Sequence, residues 1–249
     1  MRIFIIFLTI VLSTSTAIGQ SITLVTLGDS LTFGDGDETA QGGFPARLIN
    51  RLLVSHPGST LNNFAQSGNT SQDLINMQLQ PAVDILNSAP AGSIKMAIIW
   101  IGSNDLFGLY NYVCDVDYDN DYSRCEPYDL NVYTNNITTI LNSLSATGAK
   151  IYLALLDDQS RRPVMTDPAR RSAGYDRISE TDLPRMSNQV RLYNDTLLYA
   201  ATTRGLGVAN FFTTTIFENW NTLSDDGNHP NAAGYDAITD IWYQVVTAP

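Results

Sequence analysis

The chain is short of basic residues, of histidine and of cysteine, and each shortage excludes something. Fourteen Lys and Arg stand against 25 Asp and Glu, a formal charge of −11. That sign repels nucleic acid and anionic lipid surfaces at long range, so neither is expected as a partner. Histidine occurs twice, as His56 and His229, so histidine-rich metal sites are excluded and any catalytic imidazole has two candidates. Cys114 and Cys125 are the only cysteines. In an exported chain they are expected to pair as a disulfide worth roughly 3 kcal/mol, which leaves no thiol for catalysis or metal binding. Beyond the first twelve residues no apolar run approaches the length of a membrane helix, so stable membrane insertion is not expected. G-x-S-x-G, H-E-x-x-H, a Walker A loop and G-x-G-x-x-G are all missing, which removes support for an α/β-hydrolase elbow, a zinc protease or a nucleotide enzyme. Repeats and low-complexity tracts are missing too.

What is present begins with a leader pattern. Arg2 precedes an apolar run from Ile3 to Leu12, and Ala17-Ile18-Gly19 has the small-x-small spacing of a signal-peptidase site. Residues 1–19 therefore read as a signal peptide cleaved before Gln20, and the protein as secreted, extracellular or periplasmic. The remaining 230 residues carry 13 basic and 25 acidic side chains, or −12, and suffice for a single domain, expected to be monomeric. Sequons at Asn69, Asn136 and Asn194 matter only if the source glycosylates.

Along that domain, short apolar runs alternate with helical patterns. Ile22–Gly28 runs into Asp29-Ser30. Phe44–Val54 is amphipathic, Thr60–Ala65 is a short strand leading to Gly68, and residues 70–88 read as a helix interrupted at Pro81. Ile94–Ile101 is the most apolar run of the domain, hence a strand buried on both faces. An irregular, cysteine-bearing insertion is expected over Tyr110–Tyr128, then a helix from Asp129 to Thr147. Ile151–Leu156 reads as a strand, followed by a long polar loop through Pro184. Met186–Thr203 reads as helix, Val208–Phe212 as a fifth strand and Asn231–Val246 as the closing helix. Five strands alternating with helices imply an α/β fold: one doubly wound, flavodoxin-like, three-layer domain on a five-stranded parallel sheet.

In such sheets ligands bind outside the carboxyl ends of the strands, where Ser30 falls. Serine hydrolysis also needs a base and a carboxylate to orient it. His56, in Ser55-His56-Pro57-Gly58, is expected at the opposite end of the sheet. His229 is left as the base candidate, with helix capping as its structural alternative. Asp226 stands three residues before it, and Asp225 competes for the same role. Oxyanion donors are expected at strand ends: Gly68, whose missing Cβ frees its N–H for close approach, and the Asn104 amide.

Taken together these blocks, Gly28-Asp29-Ser30-Leu31, Gly68, Gly102-Ser103-Asn104-Asp105 and Asp226-Gly227-Asn228-His229-Pro230, resemble the GDSL or SGNH hydrolases over nearly the whole domain. The resemblance implies that residues 20–249 are a hydrolase domain. It makes Ser30 the nucleophile, His229 the base and Asp226 its partner, with an oxyanion hole of Ser30, Gly68 and Asn104. It implies no cofactor and no metal, and casts Asp29 and Asp105 as structural hydrogen-bonders. The substrate would be a small-molecule, lipid or polysaccharide ester. A catalytically inactive secreted carbohydrate- or calcium-binding module on the same scaffold is the alternative.

Two rim features depart from the compact members of that family. Acids between Asp115 and Glu126 have EF-hand-like spacing, but Asn120 stands where a glycine is usual, so calcium competes with a solvated acidic loop. Arg161, Arg162, Arg170, Arg171 and Arg177 read as local ion pairs or, alternatively, as contacts to an anionic part of the substrate.

Overall fold

The computed structural model describes residues 19–248; the expected leader, Gly19 apart, lies outside them. Strands β1 (Ile22–Gly28), β2 (Thr60–Asn63), β3 (Ile94–Trp100), β4 (Lys150–Leu155) and β5 (Gly207–Asn210) form one sheet in the order β2-β1-β3-β4-β5, and every pairing is parallel. Each residue of β1 is buried, which is why the central strands read as unbroken apolar runs: helices cover both faces. Gly43–Leu52 packs with Ala232–Thr247 on one side, while Leu79–Asn87, Tyr122–Ser145 and Leu183–Arg204 pack on the other. Aromatic stacking fills both interfaces. Trp100 lies 4.1 Å from Phe211 on the first side, and Tyr133 lies 3.9 Å from Tyr193 on the second.

This strand order places the site. From β1 the chain winds outward to β2, then crosses back to β3 on the other side of β1. The crossovers diverge there, and it is beyond the carboxyl ends of such strands, here β1 and β3, that sheets of this kind bind ligands. Ser30 follows one of these ends and Asn104 the other.

Three expectations about the connections are corrected. The helix over residues 70–88 is capped by a reciprocal Thr70–Asp73 box and widens into a π-turn at Leu74–Gln78 before continuing as Leu79–Asn87. The irregularity thus falls ahead of Pro81, because a proline's ring and missing N–H disturb the turn that precedes it.

Helix also occupies most of the Tyr110–Tyr128 insertion. Ser103–Gly108 runs on into wide turns at Leu109–Asp117, and the next helix begins at Tyr122, not at Asp129. Asp119 and Asn120, both at positive φ, reverse the chain between them, and a buried Cys114–Cys125 disulfide staples the two helical arms.

The polar stretch after β4 holds the short helices Pro163–Thr166 and Pro168–Gly174, and the following helix starts at Leu183, ahead of Met186. Pro163, Pro168 and Pro184 all sit in first turns, where a missing N–H costs nothing. Prolines that look like loop punctuation are helix starts here.

Candidate active site

The turn after β1 brings Ser30 out of the sheet. Gly28 lies so close to β3 that an added Cβ would meet the Trp100 carbonyl at 2.2 Å. Asp29 caps the four-residue helix Ser30–Phe33 by accepting the Leu31 N–H at 3.0 Å, and Gly34 ends it at φ 110°. Beyond Asn63, β1 has no strand neighbour on the β2 side. The Phe64 and Gln66 N–H groups still reach the Thr26 and Gly28 carbonyls, and the buried Gln78 side chain supplies the acceptor they leave out: it accepts the Gly28 N–H at 2.9 Å and also donates to the Gly28 carbonyl at 2.8 Å.

His229 approaches from the far end of the chain. Its Nε2 is 3.0 Å from Ser30 Oγ, and its Nδ1 is 2.6 Å from Asp226 Oδ2. An ionised carboxylate only accepts, so Nδ1 carries the proton and Nε2 offers its lone pair to the serine hydroxyl. The remaining Asp226 oxygen, Oδ1, accepts the Asn228 N–H at 2.7 Å, the His229 N–H at 2.9 Å and the Ser224 hydroxyl at 2.8 Å. The turn is thus folded around one carboxylate. Partial burial would raise the Asp226 pKa, but the hydrogen bonds from the His229 ring and from these two N–H groups hold it well below the usual range. Asp225 is exposed and accepts from Arg170 through its carbonyl. The other histidine, His56, is at the amino edge of the sheet, with Nδ1 2.8 Å from the Gln20 carbonyl.

Three donors face the same edge. Among the described residues neither the Ser30 nor the Gly68 N–H has a hydrogen-bond partner, and Gly68 takes φ 81° with open space where a Cβ would be. Asn104 spends one amide hydrogen on the Asn69 carbonyl, at 3.0 Å, and keeps the other. The neighbouring Asp105 accepts from the Ser71 hydroxyl at 2.5 Å and the Ser71 N–H at 2.9 Å, and Asn136 donates to that hydroxyl. The Gly68 and Asn104 loops are therefore locked to each other.

Two acids under the site are held in protein. Burial raises Asp29 to about 7, against the lowering by the Leu31 N–H and the Arg162 charge. Desolvation likewise raises Asp105 to about 6 despite its Ser71 bonds.

The rim resolves largely into ion pairs. Arg161 meets Glu218 and Arg170 meets Asp167, Arg162 is buried on Asp157, and Arg171 donates to the Met165 carbonyl. Arg177 alone of the five reaches the acidic insertion, through Asp115 and Asn111. The insertion's acids turn to separate partners, Glu126 to Tyr110 and Asp121 to Ser123. Among the described residues no three His, Cys, Asp or Glu side chains gather into a metal-sized cluster. All three sequon asparagines are buried. Asn136 and Asn194 spend their amides inside, Asn194 on both backbone groups of Leu156.

Gln78, Asn69 and Asn228 are supporting residues that sequence reasoning missed, and Arg162, read there as a local ion pair, pairs locally with Asp157 but also reaches Asn228. Only Gln78 left a trace, as a polar position in an otherwise apolar helical stripe.

A strand-end serine, a histidine and a carboxylate in hydrogen-bonded series, with free donors beside them on a parallel sheet, define the class as an α/β serine hydrolase. The chain belongs to the GDSL-like lipase/acylhydrolase family, which it matches over residues 26–237, and it is accordingly a serine esterase, lipase or acylhydrolase. That membership displaces the alternative of an inactive binding module. Comparison with curated proteins returned no match.

Several solved structures share the fold. The lipase Lip_vut3 from a goat rumen metagenome is 17% identical with a TM-score of 0.66, over 90% of this chain and 97% of that one. The psychrotrophic esterase EstA from Pseudoalteromonas sp. is 19% identical with a TM-score of 0.59, over 90% and 96%. An acetyl xylan esterase, Axe2, from Geobacillus stearothermophilus is 18% identical with a TM-score of 0.56, over 92% and 96%. At these identities the likeness speaks for fold alone.

Proposed function

We propose that the protein is an exported esterase that cleaves carboxylic esters through an acyl-enzyme on Ser30. The observation that carries this reading is the unbroken series from Ser30 Oγ to His229 Nε2 and from His229 Nδ1 to Asp226, at 3.0 and 2.6 Å. His229 takes the hydroxyl proton as Ser30 attacks the ester carbonyl, and Asp226 stabilises the resulting imidazolium. The Ser30 N–H, Gly68 N–H and Asn104 amide hold the oxyanion, each donor being worth about 10²–10³ in kcat by analogy with other oxyanion holes. The imidazolium then protonates the departing alcohol, and the same base activates water to release the acid. No step calls on a cofactor.

Residues 1–19 act in this reading as a cleaved leader, and the buried disulfide fits an oxidising destination. Among the described residues no helix is long and apolar enough to cross a membrane. Short acyl esters, lysolipids and acetylated sugars are the candidate substrate classes; the family's lipase/acylhydrolase description and an acetyl xylan esterase among the fold neighbours support lipid and sugar esters. Hydrolysis of p-nitrophenyl esters of rising chain length, acetylated xylan and lysophosphatidylcholine tests the reading. At least one class should turn over with wild type and none with Ser30→Ala. No turnover of any ester by the folded wild type would overturn it.

A further inference from the structure

The Asp226–His229 pair is local: both residues belong to one tight turn and move together. Their mutual hydrogen bond therefore cannot set the imidazole against Ser30, which is 199 positions away in the sequence. Contacts outside the turn have to fix that register: on one side the loop after Ser30 reaches it, with Gly36 packed against His229 and Glu38 accepting the Ala232 N–H at 2.9 Å, and on the other the stretch after β4 does.

We propose that Arg162 is a positioning residue that, through Asn228, holds the Asp226–His229 turn in register with Ser30. This inference rests on His229 being the base. Arg162 is 1% exposed. Its Nε and Nη2 clasp both oxygens of Asp157, just beyond β4, at 2.8 and 2.7 Å. Its Nη1 donates to Asn228 Oδ1 at 2.7 Å, and Phe217 and Phe107 lie against the guanidinium at 4.8 and 5.8 Å. A buried guanidinium is costly unless its donors are used, and this fork uses them to join a strand end to the turn.

The same segment grips the turn twice more. Val164 N–H donates to the Gly227 carbonyl at 3.0 Å, and Arg170 donates to the Asp225 carbonyl. Residues 225, 227 and 228 are thus all held by the stretch after β4, while Asp226 is left to orient the ring. Asn228 Nδ2 is 3.4 Å from His229 Nε2, so the amide that Arg162 fixes sits at the working edge of the imidazole. The arginine-rich stretch is then a cradle for the base, in place of a contact to substrate.

The test is kcat and KM for p-nitrophenyl acetate, on the alkaline plateau, in Asn228→Ala, Asn228→Asp, Arg162→Lys and the Arg162→Lys/Asn228→Ala double variant, with Ser30→Ala alongside. A displacement near 1 Å costs on the order of 10²-fold. Asn228→Ala should therefore lower kcat roughly ten- to a hundredfold with KM nearly unchanged. Asn228→Asp keeps an acceptor for Arg162 but sets a carboxylate oxygen beside His229 Nε2, so it should recover only part of that loss. Lysine cannot span Asp157 and Asn228 as the fork does, so Arg162→Lys should lower kcat in wild type and add little on top of Asn228→Ala. Should Arg162→Lys not fold, the Asn228 pair decides. A kcat preserved in Asn228→Ala, equal losses in the Ala and Asp variants, multiplying losses in the double variant, or a rise in KM alone would each overturn the proposal. Activity retained by Ser30→Ala would instead overturn the active-site reading beneath it.

Discussion

Asp226 and Asp225 are adjacent and identical in type, yet only Asp226 reaches the His229 ring. Its position follows from the turn: Gly227 takes φ 71°, and the Asn228 and His229 N–H groups fold back onto the Asp226 carboxylate. Asp226→Asn should cut kcat by about 10²–10⁴-fold, since the imidazole loses both its tautomer and its charge partner. Asp225→Asn should stay near wild type. Steady-state kinetics of the two variants check this, and a larger loss from Asp225→Asn would reverse the assignment.

Asp29 gives a test of opposite character, on stability. Its folded pKa is raised from 3.8 to about 7, so between these values the folded state binds the proton more tightly than the unfolded state. Its contribution to stability therefore falls as pH rises from about 4 to about 7. Asparagine keeps the cap on Leu31 and carries no charge, so the Tm of Asp29→Asn relative to wild type should climb across that window. A difference, variant minus wild type, that stays flat or falls across that window would contradict the buried-carboxyl reading.

Elements were legible where burial is complete. β1 and β3 announce themselves because both faces are covered, and an unbroken apolar run has few other uses in so short a length. The residues expected to do chemistry were legible for a related reason: Ser30, Gly68 and Asn104 each follow a strand, and parallel order alone brings such positions to one edge. The insertion and the stretch after β4 were read as irregular, because first-turn prolines and an acidic composition mask the early turns of the helices that start there. The supports of the site were not legible. Gln78 pairs across 50 positions and Arg162 across 66, and nothing local to either residue names its partner.

Gln78 also shows how an element irregularity serves the site. The π-turn that carries it lies against the end of β1, where its amide accepts the Gly28 N–H that the chain beyond β2 leaves open. Gln78→Leu would strand the buried Gly28 N–H, at a cost of about 1–3 kcal/mol. A fall in Tm of roughly 2–4 °C per kcal/mol is expected for a domain of this size. Calorimetry measures it directly, and an unchanged Tm would mean that the Gly28 N–H finds another acceptor.

At the scale of the molecule, loops from four strand ends are fixed in pairs before any substrate arrives. Asn104 is tied to Asn69, Asp105 to Ser71, and the Asp226–His229 turn to the stretch after β4. Hydrolysis needs such advance placement, because donors that reorganise during the reaction stabilise the transition state less. The rim is organised by the same logic. Tyr122 donates to Asp182 at 2.7 Å, and the Phe107 ring lies tilted 4.6 Å from Tyr175, so the segments after β3 and after β4 meet through these contacts as well as through Arg177.

The central claim is that Ser30 is the nucleophile activated by His229, and covalent capture tests it most directly. The folded protein, treated with a fluorophosphonate and digested, should show one phosphonylated peptide, modified at Ser30. Labelling should be absent from Ser30→Ala and strongly slowed in His229→Ala. An adduct on another serine, or unreduced labelling and ester hydrolysis in a folded Ser30→Ala variant, would contradict the account.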